Sequence, residues 1–219
     1  MSALVRNTAG ARVKHALDRF LAAIALIVFG PLLAGIALWI RFETGRPMLF
    51  AHPRVGKGGR VFRMLKFRTM VQDAIAIGQE MHISDDPFGH LPDDPRITRS
   101  GRFLRRTSLD ELPQLWNVLR GQMSIVGPRP DLVEQVANYE PGDRRRLDVK
   151  PGITGWAQVL GRDEIPWEER FRLDAWYVDN WSLWLDARIV LMTFTQLGRP
   201  EPAPVEDTLN IERAKRSGE

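Results

Sequence analysis

A chain of 219 residues is long enough for one domain with a real core and an appendage. Its 31 Lys and Arg exceed its 27 Asp and Glu, and a formal charge of +4 suits nucleic acid, an anionic membrane surface or a phosphate-bearing substrate alike. With no cysteine, disulfides and thiolate metal sites are excluded, and the four histidines (His15, His52, His82, His90) form no His-x-x-x-His pair of the kind a zinc hydrolase uses.

The first decisive element is Phe20 to Ile40, 21 residues without a charged side chain. That length makes it a membrane candidate rather than a core helix. A cleaved signal peptide fits poorly, because the run is too long for an h-region and Arg41-Phe42-Glu43 follows it instead of a small-residue cleavage site. Gly30-Pro31 lies at its middle, where proline must kink or break a helix. Each leg then has about ten residues and ~15 Å of helical rise, roughly half the hydrocarbon thickness. Basic residues flank both ends: Arg12, Lys14 and Arg19 before, Arg41, Arg46 and Arg54 after. A hairpin entering and leaving by one face suits this pattern, and an ordinary kinked span stays open.

Beyond the apolar run, Met48-Leu49-Phe50, the turn Gly56-Lys57-Gly58-Gly59 and the stretch Val61 to Met70 predict a β-hairpin. Phe62, Met64, Lys66 and Arg68 then share one strand face. Residues 71–95 read as a helix and an irregular polar loop. Leu112 to Leu119 predicts a helix stopped at Gly121, Glu168 to Val178 another, and Trp181 to Leu197 a third with Trp181 and Trp184 near its start. The Pro-rich, charged segment after Gly198 reads as a loose tail.

Three clusters could carry chemistry. In Gly101 to Gln114, Ser108-Leu109-Asp110-Glu111 has the spacing of a capping box, and an acid in a first helical turn is ordinary. Yet Arg102, Arg105 and Arg106 stand close by, and a carboxylate among cations can meet a phosphoanhydride as a nucleophile or through a divalent ion. In Gly127-Pro128-Arg129-Pro130, two prolines fix the direction of one guanidinium. Lys150 to Trp156, leading to Gly161-Arg162-Asp163, has glycines that would admit a ligand close to the backbone, or else a tight hairpin. No Walker loop, dinucleotide fingerprint or Asp-x-Asp pair is present.

Taken in order, Gly30-Pro31, KFRTM (66–70), ITRSGRFLRRTSLDELPQLWNVLRGQMSIVGPRP (97–130), KPGITGWAQVLGR (150–162) and WYVDNWSLWLDARI (176–189) resemble the bacterial sugar transferases, the monotopic phosphoglycosyl transferases. The resemblance covers residues 12–197. It implies an α+β fold: a small helix-rich cytoplasmic domain with a short β-hairpin, joined to an N-terminal re-entrant membrane helix and carrying interfacial amphipathic helices. The expected segments are 1–45 for the membrane part, 46–198 for the catalytic domain and 199–219 for the tail.

The same resemblance implies Asp110 as a nucleophile toward a UDP-sugar, Glu111 as its assistant, and transfer of the sugar phosphate to undecaprenyl phosphate. Magnesium is expected at Asp110, with Lys66, Arg68, Arg105, Arg129 and Arg162 as substrate contacts. Gly30 and Pro31 form the membrane break, Gly30 standing where related sequences often carry Ser. Trp181 and Trp184 become interface anchors. The expected setting is the bacterial inner membrane, with the domain on the cytoplasmic face, a homodimer among its assemblies and no nucleic acid among its partners. An N-acetylated amino sugar is favoured slightly over a hexose as donor. The competing class is a membrane-tethered basic binding or scaffold protein without catalysis.

Overall fold

In a computed structural model of the chain, the described residues are 8–80, 94–161 and 165–196. The structure is consistent with the predicted α+β composition: among the described residues helices dominate, with two small two-stranded sheets.

The apolar run forms two helices, α1 (Thr8–Val28) and α2 (Gly30–Thr44), whose axes bend by 62° at Phe29. Pro31 explains the break, since it cannot continue α1 but sits in the first turn of α2, where a missing amide hydrogen costs little. No single described helix is long and apolar enough to cross a membrane. Ile27, Val28 and Phe42 are among the most exposed apolar side chains of the pair, whereas Ala22, Ile36 and Ile40 face protein.

Two of the expected basic flanks are not flanks. Lys14 is buried and donates to Asp186 at 2.6 Å, and Arg54 is buried and donates to the Pro130 carbonyl at 3.2 Å. Burying an ion pair demands a partner for each charge, and Lys14 finds one 172 positions away.

Strands β1 (Leu49–Val55) and β2 (Val61–Phe67) pair antiparallel in the register Phe50 to Lys66. Their link is a 3-10 turn at Lys57–Gly59, with Gly58 and Gly59 at positive φ as the Gly-rich turn requires. Alternation works as expected: Phe62, Met64 and Lys66 are buried, Val61 and Arg63 exposed. The strand stops at Phe67 rather than Met70, which instead makes an isolated bridge to Ile97. On the open edge of β2, Asn117 stands in for a third strand: its Oδ1 accepts the Leu65 amide and its Nδ2 donates to the Arg63 carbonyl.

Helix α3 (Ala74–Glu80) opens the polar segment, whose expected loop lies at 81–93, outside the described residues. Helix α4 (Arg99–Thr107) leads into a 3-10 turn (Leu109–Glu111) and α5 (Gln114–Leu119). Strand β3 (Ser124–Val126) pairs in parallel with β4 (Gly152–Thr154) after α6 (Val133–Ala137) and a 3-10 turn (Asp143–Asp148). Gly152 and Gly155 of the third cluster therefore admit backbone, not ligand. A Cβ at Gly152 would meet the Gly127 nitrogen at 2.1 Å, and one at Gly155 the Gly127 carbonyl at 2.3 Å. Neither is the cluster a tight hairpin.

Helices α7 (Trp156–Leu160), α8 (Trp167–Asn180) and α9 (Leu183–Gln196) close the domain. Trp181 is no surface anchor. It is buried in a core with Val126, Tyr177, Val178 and Ile189, and its indole donates to Asp186. Trp184 is 77% exposed and stands on the same open side as Leu191 and Phe194.

Candidate active site

Six of the seven predicted substrate and catalytic residues converge. Lys66, Arg68, Arg105, Asp110, Glu111 and Arg129 line one cleft of about 910 Å³, with Phe50, Met70, Val71, Ala74 and Ile75 as its apolar wall. Arg162 lies outside the described residues. Gly30 and Pro31 sit at the helix bend, away from these groups in sequence and in the cleft lining.

Local chain chemistry builds the cleft. Gly101 lets α4 lie directly on Thr69, since a Cβ there would come within 2.0 Å of the Thr69 carbonyl oxygen. The Thr98 amide donates to that same oxygen at 3.0 Å, and Arg105 Nε donates to Thr69 Oγ1 at 3.0 Å. Ser108 then adopts a left-handed conformation, φ 57°, which ends α4 and turns the chain into the 3-10 segment holding both acids. A non-glycine residue there costs on the order of 1–2 kcal/mol. Such strain is commonly met at functional sites.

The capping-box reading fails at this turn. Ser108 caps nothing with its side chain. Glu111 accepts from Lys66 Nζ at 2.9 Å and Arg129 Nη2 at 3.1 Å, while Asp110 is buried with Lys66 Nζ 3.6 Å from its carboxylate. Burial alone would raise the Glu111 pKa, but Arg129 and Lys66 overcome it and lower it to about 2. Glu111 is therefore a fixed anion that holds two cations in place, not a group poised to exchange protons near neutrality.

Behind the Pro-Arg-Pro turn stands a buried network that the sequence did not announce. Arg146 donates through Nη1 to Asp131, through Nε to Asp174 and through Nη2 to the Arg129 carbonyl. Tyr139 donates to Asp131 in the same cluster. The turn thus has its backbone clamped from below, which fixes the guanidinium of Arg129 above. Prolines signalled the rigidity, but nothing in the spacing paired Arg146 with acids 15 and 28 positions away.

A second omission is the end of α2. Glu43 accepts the Arg99 amide at 2.9 Å and the Ser100 amide at 3.1 Å, so it caps the helix that carries Arg105. Thr44 and Gly45 accept from Arg68. These residues read in the sequence only as the border of an apolar run.

With this arrangement in view, comparison with known proteins is decisive. The family model of the bacterial sugar transferases matches residues 9–199. The chain belongs to that family. This sugar transferase is 43% identical over 180 residues to the sugar transferase EpsL of Bacillus subtilis, which covers 82% of the chain and 84% of EpsL. It is 41% identical over 190 residues to the undecaprenyl-phosphate galactose phosphotransferase of Salmonella typhimurium, covering 83% of this chain and 39% of that protein. A third relative is the UDP-glucose:undecaprenyl-phosphate glucose-1-phosphate transferase of Xanthomonas campestris, 45% identical over 188 residues, 80% of this sugar transferase and 37% of the relative. The chain thus spans most of EpsL and well under half of the other two.

Proposed function

We propose that this protein transfers a sugar 1-phosphate from a UDP-sugar to undecaprenyl phosphate at the cytoplasmic face of the bacterial inner membrane, through a phosphosugar carried on Asp110. The observation that carries the reading is the Asp110-Glu111 turn facing Lys66, Arg68, Arg105 and Arg129 in one cleft. A diphosphate donor and a phosphate acceptor need several cations between them, and a buried carboxylate among these is shielded from the repulsion an anionic nucleophile otherwise meets.

In the first displacement, an Asp110 carboxylate oxygen bonds to the β-phosphorus while the bond from that phosphorus to the UMP oxygen breaks, and UMP leaves. In the second, a phosphate oxygen of the lipid bonds to the same phosphorus, the bond to Asp110 breaks, and the carboxylate is restored. Lys66 and Arg129, fixed by Glu111, are placed to steady the oxygens that gain charge. Magnesium fits this donor set as a proposal. Among the described residues no three acidic or histidine side chains cluster, but magnesium typically takes one or two carboxylates and completes its shell with phosphates and water. Asp110 together with the donor's own oxygens would hold it, and its charge would offset the diphosphate.

Seating by a re-entrant hairpin belongs to the same proposal. Both ends of the α1–α2 pair are fastened to one body: Lys14 to Asp186 at the start, Glu43 and Thr44 to α4 and Arg68 at the finish. A membrane-crossing path would separate those ends. Exposed Trp184, Leu191 and Phe194 on α9 give an apolar surface suited to the interface.

The test is to incubate the enzyme with magnesium and a UDP-sugar panel led by UDP-galactose and UDP-glucose, together with N-acetylated amino sugars, but without lipid acceptor. UMP release with a phosphosugar mapped to Asp110 by peptide mass is the expected result, and Asp110→Asn should lose turnover by at least ~10³-fold. UMP release with the adduct elsewhere, or with none, would refute the covalent scheme.

A further inference from the structure

Arg68 is held differently from Lys66 and Arg129, which line the same cleft. Lys66 and Arg129 both reach carboxylates. Arg68 is held by neutral oxygens: its Nη2 donates to the Thr44 carbonyl at 2.9 Å, Thr44 Oγ1 at 2.6 Å and the Gly45 carbonyl at 3.0 Å. Its Nε and Nη1 are shut off from water and meet no acceptor among the described residues. The residue is 7% exposed and lines the cleft. Leaving donors of a charged group unsatisfied is costly, and burial lowers the Arg68 pKa by disfavouring its charge, although a guanidinium stays ionised. An oxyanion meeting either group would relieve part of both penalties. These two N–H groups point to different edges of the guanidinium, so each offers one charge-assisted hydrogen bond to a phosphate oxygen.

The anchor of that guanidinium indicates which phosphate. Thr44 is the last residue of α2, the second leg of the apolar hairpin, and Thr44 Oγ1 in turn donates to the Ile40 carbonyl within that leg. Just before it, Phe42 is 85% exposed, and Trp39 packs against Phe103 of α4 with ring centroids 5.6 Å apart. Apolar side chains therefore lead along α2 to the residue that grips Arg68. A water-soluble nucleotide has no use for such an approach, whereas a phosphate monoester on an isoprenoid chain needs an apolar path ending at a cation. We propose that Arg68 is the seat of the lipid acceptor's phosphate, pre-positioned by the end of the membrane hairpin, while Lys66 and Arg129 attend the Asp110 side of the cleft. This assignment rests on the transfer reaction proposed above and names which substrate this one cation serves.

Binding tests it independently of turnover. Full-length protein in detergent is titrated with farnesyl phosphate, with farnesol, with inorganic phosphate and with a UDP-sugar, for wild type, Arg68→Gln and Arg68→Lys. The expected result is that wild type prefers farnesyl phosphate to farnesol and to inorganic phosphate. Arg68→Gln should lose at least ~10-fold of farnesyl phosphate affinity with farnesol unchanged, and Arg68→Lys should regain part of the loss. UDP-sugar affinity should change less than threefold. Unaltered farnesyl phosphate binding in Arg68→Gln overturns the proposal, and so does a loss confined to UDP-sugar. Should Arg68→Gln fail to fold, Thr44→Val and Arg68→Lys decide the matter: each must weaken farnesyl phosphate more than UDP-sugar, and equal weakening overturns it. Absence of UMP release by wild type would defeat the transfer reaction while leaving this binding result to stand or fall alone.

Discussion

Lys66 donates to Glu111 at 2.9 Å across 45 positions of sequence, tying the exit of a β-strand to the turn that carries the nucleophile candidate. Because Arg129 and Lys66 hold the Glu111 pKa at about 2 against a usual value of 4.5, its ionised form favours the folded state. That contribution is complete above pH 4.5 and is lost as pH falls toward 2. Its size is on the order of 3 kcal/mol. Glu111→Gln should therefore flatten the acid limb of a stability-against-pH curve relative to wild type, measured by thermal melting in detergent. Its kcat/KM should fall by ~10²-fold, since two cations lose their alignment, and wild type should show no Glu111 limb above about pH 5. A wild-type rate that titrates with this carboxyl near neutrality would contradict the fixed-anion role.

Gly101→Ala sets two effects against each other. Alanine improves a helix interior by roughly 0.5–1 kcal/mol. Here its Cβ would lie 2.0 Å from the Thr69 carbonyl, a backbone atom that cannot swing aside. Overpacking of this kind costs about 1–3 kcal/mol, so destabilisation wins. Displacement of α4 also moves Arg105 from Thr69 Oγ1. Lower thermal stability with a fall in donor turnover is expected. A stabilised, fully active variant would show that α4 does not need this contact.

The residues of the cleft show what a sequence can and cannot carry. Lys66 was legible through its strand face, and Asp110, Glu111 and Arg129 through motifs held together by short spacing or by proline. The helices around Leu115 and Phe171 were legible through periodicity, with ends shifted by one or two residues. Long-range polar pairing was not. Lys14 looked like a membrane flank and Trp181 like an interface anchor, yet both meet at Asp186 in the interior. A buried charge carries no local signature, because its partner is chosen by topology rather than by spacing. For the same reason Glu43 and Thr44 gave no sign that the hairpin's end supports two arginines of the cleft.

Asp186 offers the sharpest test of that hidden pairing. It accepts from Lys14, Tyr177 and Trp181, and it joins the first helix to the last two. Asp186→Asn keeps one acceptor oxygen, which can serve Tyr177 or Trp181 but not both where they now stand, and it removes the carboxylate opposite a buried ammonium. Breaking one side of such a pair costs about 3–5 kcal/mol, so thermal stability in detergent should drop sharply. Asp18, 3.9 Å from the same ammonium, softens the loss without replacing the 2.6 Å contact. Wild-type stability in this variant would mean that α1 is held by apolar packing alone.

Pro31→Ala tests the seat of the whole domain. With proline present, α1 and α2 meet at 62°, and both outer ends are bonded to the same body. Without it, nothing in the backbone chemistry forbids one continuous helix of ~30 Å through the apolar run, long enough to cross a bilayer. Crossing would carry the N-terminus away from Asp186 and strip Lys14 of its partner, so the variant is drawn between a favourable span and a broken buried pair. Activity should fall as the cleft loses its support from α2. Topology can be read by a cysteine placed at Ser2, in a chain with no native cysteine. In intact cells, Ser2→Cys in the otherwise native chain should resist a membrane-impermeant thiol reagent and label only after permeabilisation. Adding Pro31→Ala should make some of it label in intact cells. Labelling of the Pro31 protein in intact cells would mean that the hairpin spans, and the re-entrant seat would have to be abandoned.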